Sequence, residues 1–205
     1  MEYLRTFSED EKLQLTNIYT QVKDQLLLAK GNEVYWLNLY LNQQHLINLP
    51  SSFHSWIQQL VHNNYSYKHE ILSYGFIVNP AHSTVNQQFH YDYTKTSSNL
   101  FIPITQVTTL NATQYLTTKL KQTKVDDYCN FGDLEKVMES EQVDAIIVSQ
   151  LICKPFSLIK LKPNVPHRGI ANHDNYDRIV FFITVDEYYH DLTETIIFKE
   201  CKETI

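Results

Sequence analysis

Gln88-Phe89-His90-Tyr91-Asp92 is the stretch on which the reading of this chain turns. Aromatic and polar residues alternate along it with a period of two. In an extended strand successive side chains leave on opposite sides, so Gln88, His90 and Asp92 share one face and Phe89 and Tyr91 the other. His90 and Asp92 are then a few ångströms apart and point the same way. Alone, the pair is a weak signal. Nine histidines in 205 residues make a chance His-x-Asp easy to find, and two hydrogen-bonded polar residues on a half-buried strand explain it equally well. Two distant residues change the weighing: His167 comes much later in the chain, and Arg178 eleven residues after it. Two imidazoles and one carboxylate on one side of a metal ion leave its other positions open, the ligand set that suits Fe(II). Arg178 adds a planar cation able to hold a carboxylate by two parallel hydrogen bonds.

The strands around this stretch set the fold class. From about Glu70 onward, short β-type runs are split by turn residues. Strands are expected at Ile71–Val78, Asn86–Tyr91, Leu100–Thr105, Thr113–Thr117, Ala145–Ser149, Phe156–Leu161, Val165–Arg168 and Arg178–Val185. Eight short strands at this spacing suggest a β-sandwich or jelly roll. In the last of them Arg178, Val180, Phe182 and Thr184 fall on one face. Residues 131–141 read as a helical excursion between strands.

The first third reads as helical. Ser8 and Glu11 form a capping box, and Leu15, Tyr19, Val22 and Leu26 recur at helical spacing until Gly31-Asn32. A second helix is expected over Val34–Leu49. A third is expected to be capped by Ser51 or Ser52, with Phe53, Trp56, Ile57, Leu60 and Val61 as packing surface. The chain is thus expected to be mainly β with N-terminal helices, one domain in which residues 1–69 form a helical buttress and 70–205 the β core.

Composition narrows the function classes. The hydrophobic fraction is 43%, the charged fraction 20% and the net charge −6, which describe an ordinary globular domain without a basic stripe for nucleic acid. No apolar run is long enough to span a membrane. The start, Met1-Glu2-Tyr3-Leu4-Arg5, lacks the basic-then-apolar order of a secretory signal. Cys129, Cys153 and Cys201 are odd in number and far apart, which suits free thiols in a reducing compartment, so the cytoplasm is expected. There is no Gly-rich phosphate loop, Cys-x-x-Cys pair or Gly-x-Ser-x-Gly elbow. Only four glycines occur, so asparagine is expected to serve some tight turns.

These motifs together resemble the 2-oxoglutarate/Fe(II)-dependent dioxygenases, especially the phytanoyl-CoA dioxygenase-like branch. Ile77-Val78-Asn79-Pro80-Ala81 with Gln88 before His90 is similar to that branch's lead-in to its metal strand. Leu110-Asn111-Ala112-Thr113 resembles its Asn-Gly-Ala-Thr segment, one residue short, and the Pro-Gly-Ser-His turn that usually comes after it is absent. His167-Arg168-Gly169 with Asn172 and Arg178 resembles its distal block. The resemblance implies a double-stranded β-helix core (jelly roll, cupin-like) buttressed by helices. It implies iron ligation by His90, Asp92 and His167, and binding of 2-oxoglutarate by Arg178, Thr113 and Gln88. It further implies use of O2 for C–H oxidation, hydroxylation in the first instance, of a small-molecule or peptidyl substrate. Three readings stand beside this one. Arg178 could pair with Asp174 or Asp177 instead of a ligand. The chain could be a non-catalytic jelly-roll protein that binds a metal or ligand. It could also be a zinc- or manganese-loaded hydrolase or isomerase on a cupin-like barrel.

Overall fold

The computed structural model describes residues 1–28, 33–65, 69–87, 89–90, 97–117, 130–131, 147–163 and 165–187. In chain order the elements are β1 (Glu2–Thr6), α1 (Glu9–Val22), a 3-10 turn (Lys23–Gln25), β2 (Leu27–Leu28), β3 (Tyr35–Leu41), β4 (Gln44–His45) and α2 (Ser51–Asn64). They continue with β5 (His69–Asn79), β6 (Phe89–His90), β7 (Ser97–Pro103), β8 (Thr113–Leu116), β9 (Asn130–Phe131) and β10 (Val148–Leu151). The last are β11 (Ser157–Leu161), β12 (His167–Gly169) and β13 (Arg178–Glu187).

Two antiparallel sheets face each other. The larger runs β1-β11-β7-β13-β5-β3-β2, with β4 hydrogen-bonded to β3, and the smaller runs β10-β8-β12-β6-β9. Chain-consecutive strands of the core alternate between sheets: β5 to β6, β7 to β8, β10 to β11, β12 to β13. That alternation is the winding of a double-stranded β-helix, the architecture the resemblance implied, where the strand pattern alone suggested a β-sandwich or jelly roll.

The pleat of β13 divides the core in two. Phe181, Ile183 and Val185 are fully buried and pack with Tyr74, Phe76, Leu100 and Ile102 against Leu15, Ile18, Phe53 and Ile57 of the two helices. Val180 and Phe182 leave from the other face and pack with Phe101 and Leu161 between the sheets, where Ile77, Tyr115 and Val165 join them. Arg178 shares this inner face, as the alternation of the sequence required.

The capping box holds. Glu11 N–H donates to Ser8 Oγ, and Ser8 N–H donates to the Glu11 carboxylate at 2.9 Å. Three expectations for the first third need correction. Helix α1 ends at Val22 and passes into the 3-10 turn, short of Leu26. Glu2–Thr6 is a strand paired to β11, so the first third is not wholly helical. Residues 34–49 form the β3–β4 hairpin, not a helix. The reason is local: Asn42 and Gln43 both have positive φ, 47° and 65°, the conformation of a two-residue hairpin turn in which asparagine is favoured. Helix α2 starts at Ser51 after Pro50 and makes no side-chain cap. Of the expected helix at 131–141, Phe131 lies in β9 and the rest falls outside the described residues. Among the described residues no helix is long and apolar enough to cross a membrane.

Candidate active site

The smaller sheet brings the two distant histidines together. His167 on β12 is the direct cross-strand partner of His90 on β6, and their ring centres are 4.8 Å apart. With metal–nitrogen bonds of about 2.1 Å and a ring centre about 1 Å behind the nitrogen, two imidazoles near right angles on one ion stand roughly 4.5 Å apart. The observed separation fits that geometry. His167 is buried, edge-on to Phe101 at 5.6 Å. Its Nδ1 lies 3.2 Å from the carbonyl oxygen of Val165. A carbonyl only accepts, so Nδ1 carries the proton and the lone pair sits on Nε2, the tautomer a metal needs. Asp92 and Gln88 lie outside the described residues.

Two residues beyond His167, on the same face of β12, Gly169 marks the place of the guanidinium. An added Cβ there would stand 2.2 Å from Arg178 Nη2 and 2.7 Å from Gln87 Oε1, so any side chain would evict the arginine. Two strand residues span about 7 Å, which sets the offset along β12 between the imidazole pair and the cation. Arg178 is buried. Its Nη1 donates to the carbonyl oxygens of Asn111 and Ala112, both at 2.9 Å, while its Nε is buried with no hydrogen-bond partner among the described residues. Burial alone brings its pKa down to about 10, below the ordinary arginine value and still charged at neutral pH. Among the described residues it pairs with no carboxylate: Asp177 Oδ1 accepts from Ala81 N–H, and Asp174 Oδ2 from the Thr108 hydroxyl. A buried cation with an unpaired donor calls for an anion.

Thr113 opens β8 opposite Gly169, directly after the two carbonyls that hold Arg178. It therefore stands beside the cation. His82, eight residues before His90, is exposed in a left-handed turn with φ of 59°.

Several residues that support this site were not singled out from sequence as doing so. Gln87 N–H donates to the Gly169 carbonyl and Gly169 N–H to Gln87 Oε1, while Ala171 N–H donates to Asn86 Oδ1 at 2.7 Å. Asn172, fully buried, donates from Nδ2 to the carbonyls of Asn79 and Tyr176, and its Oδ1 accepts from Asp174 N–H. Ser83 donates to Asn79 Oδ1 at 2.5 Å and accepts from Asn172 N–H. These bonds clamp the 170–177 connection onto the end of β5 and so fix where Arg178 enters β13. The density of asparagine at 79, 86, 111 and 172 was the available signal.

No family model matches the chain, and no curated protein matches it. Solved structures do. The non-haem, α-ketoglutarate-dependent carbocyclase SnoK of nogalamycin biosynthesis aligns over 90% of this chain and 79% of its own, with a TM-score of 0.65 at 13% identity. The chain shares its fold with that enzyme. The epimerase SnoN, solved with Fe3+, α-ketoglutarate and nogalamycin RO, aligns over 90% of this chain and 78% of its own, with a TM-score of 0.65 at 9% identity. HygX from Streptomyces hygroscopicus, solved with nickel and 2-oxoglutarate, covers 90% and 80% at a TM-score of 0.54 and 8% identity. At such identities the likeness is one of fold, and the chemistry must be argued from the side chains.

Proposed function

We propose that this chain is an Fe(II)- and 2-oxoglutarate-dependent oxygenase, a hydroxylase of the phytanoyl-CoA dioxygenase-like branch. The observation that carries the reading is the pairing of His90 with His167 two strand positions from a buried, charged Arg178 whose Nε has no partner. His90, His167 and Asp92 would hold the metal. Arg178 would seat the far carboxylate of 2-oxoglutarate, with Thr113 and Gln88 hydrogen-bonding the same molecule. When bound, iron and 2-oxoglutarate would together use O2 to insert one oxygen atom into a substrate C–H bond, the other atom leaving in succinate as CO2 is released.

The protein's part is orientation and exclusion of water. The Val165 carbonyl keeps the His167 lone pair on Nε2, and the Asn111 and Ala112 carbonyls hold Arg178 flat over Gly169. Phe101, Val180 and Phe182 line the wall between the sheets and keep it dry. In that surrounding the attraction between guanidinium and carboxylate is far stronger than in water. A reducing compartment, the cytoplasm, accords with the free thiol of Cys153 and supplies ferrous iron.

The test is the formation of succinate from 2-oxoglutarate by the aerobic, Fe(II)-loaded protein, abolished in Asp92→Ala. Full turnover in that variant would overturn the proposed ligand set. No 2-oxoglutarate consumption with iron bound would leave the alternative of a non-catalytic jelly-roll binding protein.

A further inference from the structure

The inner face of the larger sheet does not stop at the site. Residues paired directly across antiparallel strands share a face. Val180 on β13 pairs with Ile77 on β5, Ile77 with Trp36 on β3, and Trp36 with Leu27 on β2. The row begins in the buried cluster between the sheets and ends in the open, with Trp36 39% and Leu27 63% exposed. At a strand spacing of about 4.8 Å, Trp36 lies roughly 10 Å from Val180, itself two residues from Arg178 on the same face. Leu37 and Leu39, on the opposite face of β3, are buried in the core beneath the helices, whereas Tyr35 and its partner Leu28 on that face are 37% and 58% exposed, so both faces open at this edge and only the face of Trp36 is continuous with the site. No charged side chain interrupts the row.

A second tie links this shelf to the site. Just before β3, the Glu33 carboxylate accepts hydrogen bonds from the backbone N–H and the hydroxyl of Thr84. Thr84 belongs to the segment whose Asn86 and Gln87 are bonded to Ala171 and Gly169. Trp36 is thereby anchored to the chain that leads into His90 and covers Arg178.

We propose that Trp36, with Leu27, is the substrate platform of this oxygenase, and that the substrate is a small molecule carrying an uncharged planar aromatic ring system. The ring stacks on the indole, and the C–H to be oxidised extends along Ile77 toward the metal. The inference rests on the oxygenase reading. It names the substrate class by the shape and polarity of the surface: a flat π-face beside a branched aliphatic chain, continuous with an apolar wall.

The test uses 1-naphthol as probe and the full chain carrying Trp56→Phe, which leaves Trp36 as the one indole. The protein is loaded with Mn(II) and 2-oxoglutarate, and both Trp36 emission and paramagnetic relaxation of the naphthol protons are followed. Saturable quenching together with enhanced relaxation is expected. In Trp36→Ser, affinity read from the relaxation should fall about tenfold, and in Trp36→Phe it should be retained. Unchanged relaxation in Trp36→Ser would overturn the proposal. So would quenching without relaxation, the mark of an adhesive patch remote from the metal. A concentration-dependent dimer in sedimentation that Trp36→Ser disperses would show instead that a second copy covers the shelf. If the ferrous protein gives no visible absorption band with 2-oxoglutarate, the oxygenase reading itself fails. A band with no Trp36 response fails the platform alone.

Discussion

Replacing Arg178 with methionine separates a ligand-seating cation from a structural one. The guanidinium is fully desolvated, and the fall of its pKa from the ordinary arginine value to about 10 corresponds to roughly 3 kcal/mol of penalty on the charged form. Because the folded pKa is the lower, this burden is present at every pH below about 10 and lifts only as pH rises from there toward the ordinary arginine value. Methionine fills similar length without charge and so removes the penalty, but it leaves the carbonyls of Asn111 and Ala112 without Nη1, at about 1.5–3 kcal/mol each. The opposing effects nearly offset, so the ligand-free variant should lose no more than about 3 kcal/mol. The ligand response should change far more. Removing one partner of a buried charge pair costs about 2–5 kcal/mol, so 2-oxoglutarate affinity should fall by roughly 30-fold or more. The assay is thermal unfolding by circular dichroism with Mn(II), with and without 2-oxoglutarate at about 100 times its dissociation constant. Native protein should gain about 2.7 kcal/mol, roughly 5–10 °C for a chain of this length, and Arg178→Met no more than about 0.9 kcal/mol, roughly 2–3 °C. Equal shifts in both proteins would refute the role of Arg178. A ligand-free variant that fails to fold would refute the balance of terms, making the guanidinium a structural strut.

Three further outcomes rest on the same geometry. Gly169→Ala places a Cβ where Arg178 Nη2 and Gln87 Oε1 now lie, so it should lower stability by about 1–3 kcal/mol and weaken 2-oxoglutarate binding more than tenfold, read by denaturant unfolding and ligand titration. Asn172→Ala removes three hydrogen bonds from a fully buried clamp and should cost about 2–4 kcal/mol, with amide exchange rising first at the 170–177 connection. The Arg5 hydrogen bonds draw Glu11 down to a pKa of about 2, so its contribution is complete above the usual carboxylate range and disappears as pH falls through about 2. With Arg5 partly exposed, Glu11→Gln should cost about 1 kcal/mol or less at pH 7 and nothing near pH 2, measured by urea unfolding across that range.

The sequence was most legible where one face is buried on each side of a regular strand. β13 could be read because Arg178, Val180 and Phe182 alternate without interruption with Ile179, Phe181 and Ile183, and both faces have partners. β3 defeated the same reading. A bulge between Asn38 and Tyr40 turns Leu39 and Tyr40 both inward, so Leu37, Tyr40 and Leu41 fall at the three- and four-residue spacing of a helix. β1 is a short edge strand bearing Glu2 and Arg5, with too little apolar pattern to announce itself. At the candidate site, the histidine pair and the arginine stood out because the metal and carboxylate chemistry proposed for them would restrict the residue types that serve. The Asn79–Ser83–Asn172 lattice was not, since its bonds join residues about ninety positions apart and neutral amides leave no charge or period to read. The resemblance drew attention to Gly169, but its reason, space for a guanidinium from another strand, exists only in three dimensions.

The sharing of one ferrous ion by His90 and His167 is tested most directly by anaerobic titration of the protein with Fe(II) in the presence of 2-oxoglutarate, monitored in the visible range. A weak charge-transfer band saturating at one iron per chain is expected in the native protein, and neither His90→Ala nor His167→Ala should develop it. A band of undiminished strength in either variant would contradict the shared site.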